Sequence, residues 1–184
     1  MRHDREGCLQ ALRQIMTDED ITQVLGFGND RPDTLRHRFE LGRCTTRDFL
    51  SEVLTHARPG TTEQQVVDAW NRMHAGIPDA VWEKLELLHS RGHRLYLMSN
   101  TDDIHWQHTL SLYRYPIRHL FDEVFLSFEK GIAKPDAAFF EAVHRQIPSA
   151  QTWFVDDMET NRLAAEKCVG WHTCASVNEL MERL

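Results

Sequence analysis

The sequence predicts an α/β protein: a helical segment, then strands alternating with helices around a parallel sheet. Three observations carry this. Runs at 94–98, 123–126, 152–155 and 171–174 have strand length and apolar content. Each is separated from the next by a stretch with helical spacing or a helix-capping signal, so the strands join through right-handed crossovers and lie parallel. Before residue 77 the apolar residues recur at helical spacing, and no convincing strand interrupts them.

The elements follow in order. Residues 6–16 bring Cys8, Leu9, Leu12, Ile15 and Met16 to one helical face. Leu35 and Phe39 share a short helix that ends near Gly42. Thr45 or Thr46 caps the next helix, whose inner face carries Phe49, Leu50, Val53 and Leu54, and Pro59-Gly60 breaks it. Thr61-Thr62-Glu63-Gln64 offers a capping box to a helix with Val66, Val67, Trp70 and Met73. Gly76 and Pro78 mark a boundary, giving a helical unit over 1–76 and an α/β unit over 77–184. In the second unit, a helix over 79–90 stops at Gly92, and the strand at 94–98 leads to a helix over 103–113. Pro135-Asp136 opens a helix with Phe139, Phe140 and Val143. A helix over 158–169 ends at Gly170, and Ser176 caps the last.

With 41% hydrophobic and 27% charged residues, 184 residues can bury a core. A net charge of −7 without a basic stretch argues against nucleic acid as a partner. No run is long enough to span a membrane, and no apolar leader is evident. Four cysteines without CxxC spacing read as reduced thiols, so the expectation is a soluble cytoplasmic protein, monomeric or weakly dimeric. The eleven histidines, His105 with His108 and His89 with His93 included, show no metal-ligand spacing and read as surface residues.

Polar groups stand where strands end, which is where open α/β sheets bind ligands. Ser99 and Asn100 close the first run, Asp156 and Asp157 the third, and Lys134 lies between them in Gly-Ile-Ala-Lys-Pro. A hydroxyl and an amide can hold phosphoryl oxygens, and an ammonium neutralises their charge. Paired carboxylates are the hard oxygen ligands Mg²⁺ prefers, with Asn161 about one helical turn further on.

In this order the motifs resemble those of the haloacid dehalogenase superfamily of hydrolases, mostly phosphatases. Leu-Met-Ser-Asn-Thr (97–101) resembles its second motif, Gly-Ile-Ala-Lys-Pro-Asp (131–136) its third, and Phe-Val-Asp-Asp-Met-Glu-Thr-Asn (154–161) its fourth. The nearest branch includes glucose-1-phosphate phosphatases and the phosphatase domain of soluble epoxide hydrolases. The resemblance implies a Rossmann-like parallel sheet with a small helical cap over 1–76. It makes Ser99, Asn100 and Lys134 the phosphate-binding groups and Lys134 a catalytic one. Asp157, with Asp156 and Asn161, becomes the Mg²⁺ site, and a small-molecule phosphate ester the substrate.

The family's first strand, ending in a nucleophilic aspartate, has no counterpart here. Met1-Arg2-His3-Asp4 resembles the stretch just after it, and the resemblance puts that strand between those at 94–98 and 152–155. The motif's letters recur at Asp18-Glu19-Asp20, but Thr17 there is suited to an N-cap and the preceding residues follow helical spacing. Three readings stay open: a Mg²⁺-dependent phosphatase that acts through an aspartyl-phosphate and is shortened at its N-terminus, a catalytically inert phosphate-binding or interaction protein, and another enzyme of the same fold. Without the first strand, the two flanking strands either face a gap or close on each other.

Overall fold

The computed structural model describes residues 4–28, 33–74, 76–112, 117–147 and 151–184. Met1–His3, Arg31 and the helix end expected at 113 lie outside them.

The first half is helical. Helix α1 (Arg5–Ile15) starts at Asp4, whose side chain accepts from the Gly7 N–H. Helix α2 (Asp18–Asp20) is capped by Thr17 and runs into a π-turn over Ile21–Leu25. Helix α3 (Leu35–Glu40) is followed by α4 (Thr46–His56) and α5 (Glu63–Asn71). The last two begin at capping boxes, Thr45 with Asp48 and Thr62 with Gln65. The second box lies one residue later than Thr61-Thr62-Glu63-Gln64 suggests. In each, the threonine and its partner bind one another's backbone N–H, satisfying two donors the helix itself leaves open. The apolar faces of these helices meet in one cluster around Leu12, Phe49, Val53 and Trp70, joined from the second half by Ile104.

Helix α6 (Asp79–Ser90) leads into β1 (Tyr96–Ser99), α7 (Asp103–Leu112) and β2 (Glu123–Leu126). Then come α8 (Ser127–Lys130), α9 (Ala137–His144), β3 (Trp153–Val155), α10 (Glu159–Val169), β4 (His172–Cys174) and α11 (Val177–Arg183). Helix α9 begins two residues after Pro135, because the Asp136 carboxylate accepts the Ala138 N–H and acts as the cap. This is an α/β arrangement of parallel strands with packed helices, as the sequence predicts.

The sheet is in two parts. β1 pairs with β2 in parallel, Ser99 opposite Leu126, and β3 pairs with β4 in parallel, Val155 opposite Cys174. Among the described residues no ladder joins β1 to β3, so the two strands have not paired with each other, and the unladdered space between them is a slot. The halves still share one apolar cluster: Phe125 from β2 and Phe154 from β3 pack with Phe139, Phe140 and Trp171, and Tyr96 and Met98 of β1 lie against it. All four residues of β1 are half-buried, as expected of a strand with one edge open.

Candidate active site

The strands deliver their polar ends to one side of the slot. Lys134 is the centre of the arrangement. Its ammonium donates to Asp156 Oδ2 at 2.7 Å and to the Met98 carbonyl oxygen at 3.0 Å. It thus ties the end of β1 to the end of β3 across the space where no ladder runs. Both side chains are nearly buried, Lys134 at 10% exposure and Asp156 at 6%.

Asn100 holds Lys134 in place. Its Oδ1 accepts the Lys134 N–H at 2.9 Å and its Nδ2 donates to the Lys134 carbonyl at 2.8 Å. Both ends of the amide are engaged, so this side chain clamps the lysine segment as a peptide group in a ladder would. The Ser99 hydroxyl is less occupied: among the described residues its one hydrogen-bond contact is with the Asn100 carbonyl at 3.5 Å, at the outer limit of a hydrogen bond. It remains able to meet an incoming oxygen.

Asp156 is satisfied on its other oxygen as well. Oδ1 accepts the Met158 N–H at 2.9 Å and Asn161 Nδ2 at 3.0 Å. Asn161 is buried and serves first to orient this carboxylate. Arg162 donates to the carbonyl oxygens of Asp156 and Asp157 at 2.7 and 3.0 Å, fixing the turn between β3 and α10. The Asp157 carboxylate is exposed, with no hydrogen bond or ion pair among the described residues. The structure therefore unites Ser99, Asn100, Lys134, Asp156 and Asn161 in one bonded chain and leaves Asp157 beside it with a free carboxylate.

Those donors suit a hard cation in kind, two adjacent carboxylates and a neighbouring amide. Among the described residues no group of three or more His, Cys, Asp or Glu converges as a cation site by itself. Any cation at this position has to draw further oxygens from water or from a bound ligand, as Mg²⁺ usually does.

The sequence reading passed over Ser127, at the end of β2. It is fully buried; its hydroxyl accepts the Thr101 N–H at 2.9 Å and lies 2.7 Å from the Glu40 carbonyl, to which it donates. One hydroxyl thereby connects the loop after Ser99 to the helical half. The rule that singled out Ser99, a polar residue directly after a strand, applies to Ser127 equally. His105 corrects the expectation of surface histidines: it is buried, held by Asp102 and Trp70.

A cavity of about 410 Å³ opens between the two halves, lined by Phe39, Cys44 and Arg47 on one side and Asp103 and Phe128 on the other. Thr46 Oγ1 donates to Asp103 Oδ2 across it at 2.7 Å. Gly42, with φ at +62°, also lines the cavity: a Cβ there would stand 2.1 Å from the Phe128 carbonyl oxygen.

The chain matches the family model of the haloacid dehalogenase-like hydrolases over residues 6–168 and belongs to that family. The polar groups described above therefore stand at strand ends of a hydrolase-family fold. Among known proteins it is 37% identical over 112 residues to the sesquiterpene phosphatase astK of Aspergillus oryzae, a match covering 57% of this chain and 55% of that protein. The match thus spans about half the length of that relative. A HAD family enzyme of Bacteroides thetaiotaomicron, bt-2542, solved with magnesium and inorganic phosphate, superposes with a TM-score of 0.81 at 27% identity, covering 94% of this chain and 86% of that one. A predicted HAD-like family hydrolase of Porphyromonas gingivalis shares the fold with a TM-score of 0.83 at 24% identity, over 100% of this chain and 91% of that one. No helix among the described residues is long and apolar enough to cross a membrane.

Proposed function

We propose that this chain carries the phosphate- and metal-holding part of a Mg²⁺-dependent phosphatase that acts on a small phosphorylated metabolite through an aspartyl-phosphate. The observation that carries the reading is the Ser99–Asn100–Lys134–Asp156 chain at the mouth of the slot. It sets a little-used hydroxyl and a fixed ammonium at the ends of neighbouring strands. Two relatives support it: one is a sesquiterpene phosphatase, and another was solved with magnesium and inorganic phosphate.

On this reading, the Ser99 hydroxyl and the Lys134 ammonium take the non-bridging oxygens of the phosphoryl group. Asn100 keeps the lysine from swinging away, and Asp156 holds the ammonium at its post. Asp157 and Asp156, with Asn161 orienting the latter, hold Mg²⁺, which when bound neutralises charge on the phosphate oxygens. The nucleophile is a carboxylate on a strand lying in the slot between β1 and β3. Its oxygen attacks phosphorus as the bond to the leaving oxygen breaks, and water then cleaves the acyl phosphate. Phosphoryl transfer depends on positioning and charge stabilisation, which the residues present can supply. The helical unit, 1–76, acts as a cap over the core, 77–184, and the organic part of the ester occupies the cavity between Phe39 and Phe128.

The test is to join an apolar strand of about five residues ending in aspartate ahead of Asp4. This extended chain should hydrolyse an aryl phosphate only when Mg²⁺ is present, and the 184-residue chain should not. Turnover by the 184-residue chain that Asp18→Asn abolishes would refute the reading. Asp18 is exposed and paired with Arg13 at 2.8 Å, which does not suit a nucleophile.

A further inference from the structure

Behind the phosphate loop, a buried polar cluster joins the two halves of the molecule. Asp102 and His105 come from the α/β half; Trp70, from α5, and His74 come from the helical half. Asp102 is fully buried and His105 nearly so. Asp102 Oδ1 accepts the His105 backbone N–H at 2.9 Å, and Oδ2 accepts Trp70 Nε1 at 3.0 Å. Oδ2 also lies 2.7 Å from His105 Nδ1, while His105 Nε2 lies 2.9 Å from the Trp70 carbonyl oxygen. The Trp70 and His105 rings stack at 5.1 Å and 7°, and the His74 ring sits 4.1 Å from that of His105.

A count of protons decides what this cluster is. A carbonyl oxygen only accepts, so Nε2 has to carry a proton. Nδ1 faces a carboxylate oxygen at hydrogen-bond distance, so that contact needs a proton too. A neutral imidazole has one N–H and would leave one of these contacts as lone pair against lone pair. The carboxylate already receives two N–H groups as an acceptor, so the second proton belongs on the ring. The stacked indole face favours a cation beside it.

We infer that His105 and Asp102 are a positioning pair: a buried imidazolium and carboxylate that fasten the helix bearing Trp70 to the end of β1 and the loop bearing Asn100. The link to phosphate handling rests on the phosphatase reading; the proton count does not. Asp102 stands three residues after Ser99, so whatever holds Asp102 also limits where that loop can move. With a single ring proton, one of the two contacts, with Asp102 or with the Trp70 carbonyl, would set lone pair against lone pair and the attachment would be weaker.

The groups facing the pair are few. Glu40 on α3 is pushed up by burial against the opposing pull of Arg36. The Cys8 thiol on α1 is pushed up to about 12 by burial and by the charges of Asp4 and Asp102, and burial raises the Cys44 thiol also. His108, on the same helix as His105, is lowered by burial and by His105. None of these four groups is a fixed cation, and the His74 ring stands beside His105 as the further titratable neighbour.

Nitrogen NMR on the histidine-labelled 184-residue chain tests this without any assay of activity. His105 is assigned through its contacts to the Trp70 indole, so no variant has to fold. Both ring nitrogens should be in the N–H form at neutral pH. The Trp70 indole N–H should be protected from solvent exchange in the same sample. Asp102→Asn should leave a bare nitrogen on the His105 ring under the same conditions and lower the protection of the indole N–H, which a merely space-filling role would not do. A bare ring nitrogen in the parent chain, an unprotected indole N–H, or a ring still doubly protonated in Asp102→Asn would each overturn the proposal.

Discussion

Replacing Lys134 by methionine tests whether the charge at the slot holds the molecule together. Methionine keeps the apolar stem and removes the ammonium that joins Asp156 to the Met98 carbonyl. At 2.7 Å, the attraction between the two charges is about 6 kcal/mol in an effective dielectric of about 20. Desolvation offsets much of that in the intact pair, so the gross figure is not the loss. The loss comes from stranding a carboxylate that is 6% exposed, and breaking such a buried pair costs about 3–5 kcal/mol. Asp156 keeps its bonds from Met158 N–H and Asn161, which points to the lower end, about 3 kcal/mol. For a chain of this size that corresponds to a fall in melting temperature of about 6–12 °C. The assay is thermal and urea unfolding followed by circular dichroism. Adding Asp156→Asn removes the stranded charge and should recover about 1 kcal/mol or more. A Lys134→Met chain that melts within about 2 °C of the parent would refute the argument that this pair braces the two half-sheets.

Asp157→Asn should leave stability almost unchanged, since its carboxylate is exposed and bonded to nothing described, yet in the extended enzyme it should raise the Mg²⁺ concentration needed for half-maximal rate at least about tenfold. In the extended enzyme, Cys44→Trp should fill part of the cavity of about 410 Å³ and raise KM for bulky apolar phosphate esters while leaving a minimal aryl phosphate near its parent value, measured by steady-state kinetics. Burial raises the Glu40 carboxyl, so the folded chain holds its proton longer than the unfolded chain does; Glu40 therefore lowers stability as pH climbs from the ordinary carboxylate range through that raised value. Glu40→Gln should flatten this slope in urea midpoints recorded across that interval, and an unchanged slope would remove Glu40 as its source.

Much of the architecture was legible because periodicity reports burial. The run at 123–126 is a strand with those ends, and the helix over 79–90 has the ends its caps suggest. Thr17 does cap a short helix at Asp18–Asp20, which explains why those letters form no strand end. The positions of Ser99, Lys134 and Asp156 follow from polar residues interrupting apolar runs. The partners could not be read that way. That Asn100 clamps a peptide group 34 residues away, and that Asn161 turns inward to Asp156, are facts of tertiary packing. His105 was misjudged for a related reason: on α7 a histidine next to tryptophan looks solvated until a tryptophan from another helix lies flat on it. The π-turn at Ile21–Leu25 has no signature in residue spacing, since its apolar residues fit an α-helix as well.

Gly42 gives the meeting of the two halves an unusual constraint. Where its missing side chain would be, the carbonyl of Phe128 already stands. That carbonyl belongs to the residue after Ser127, whose hydroxyl holds the loop that follows Ser99. The width of the cavity and the setting of that loop are therefore governed by one contact too narrow for a methyl group. A wider cavity cannot be reached by enlarging this position, because any side chain would push on the Phe128 carbonyl before it reshaped the pocket. On the proposed reading, variation in the ligands accommodated falls to Cys44 and Arg47, which line the cavity and are not packed into the core as Phe39 is.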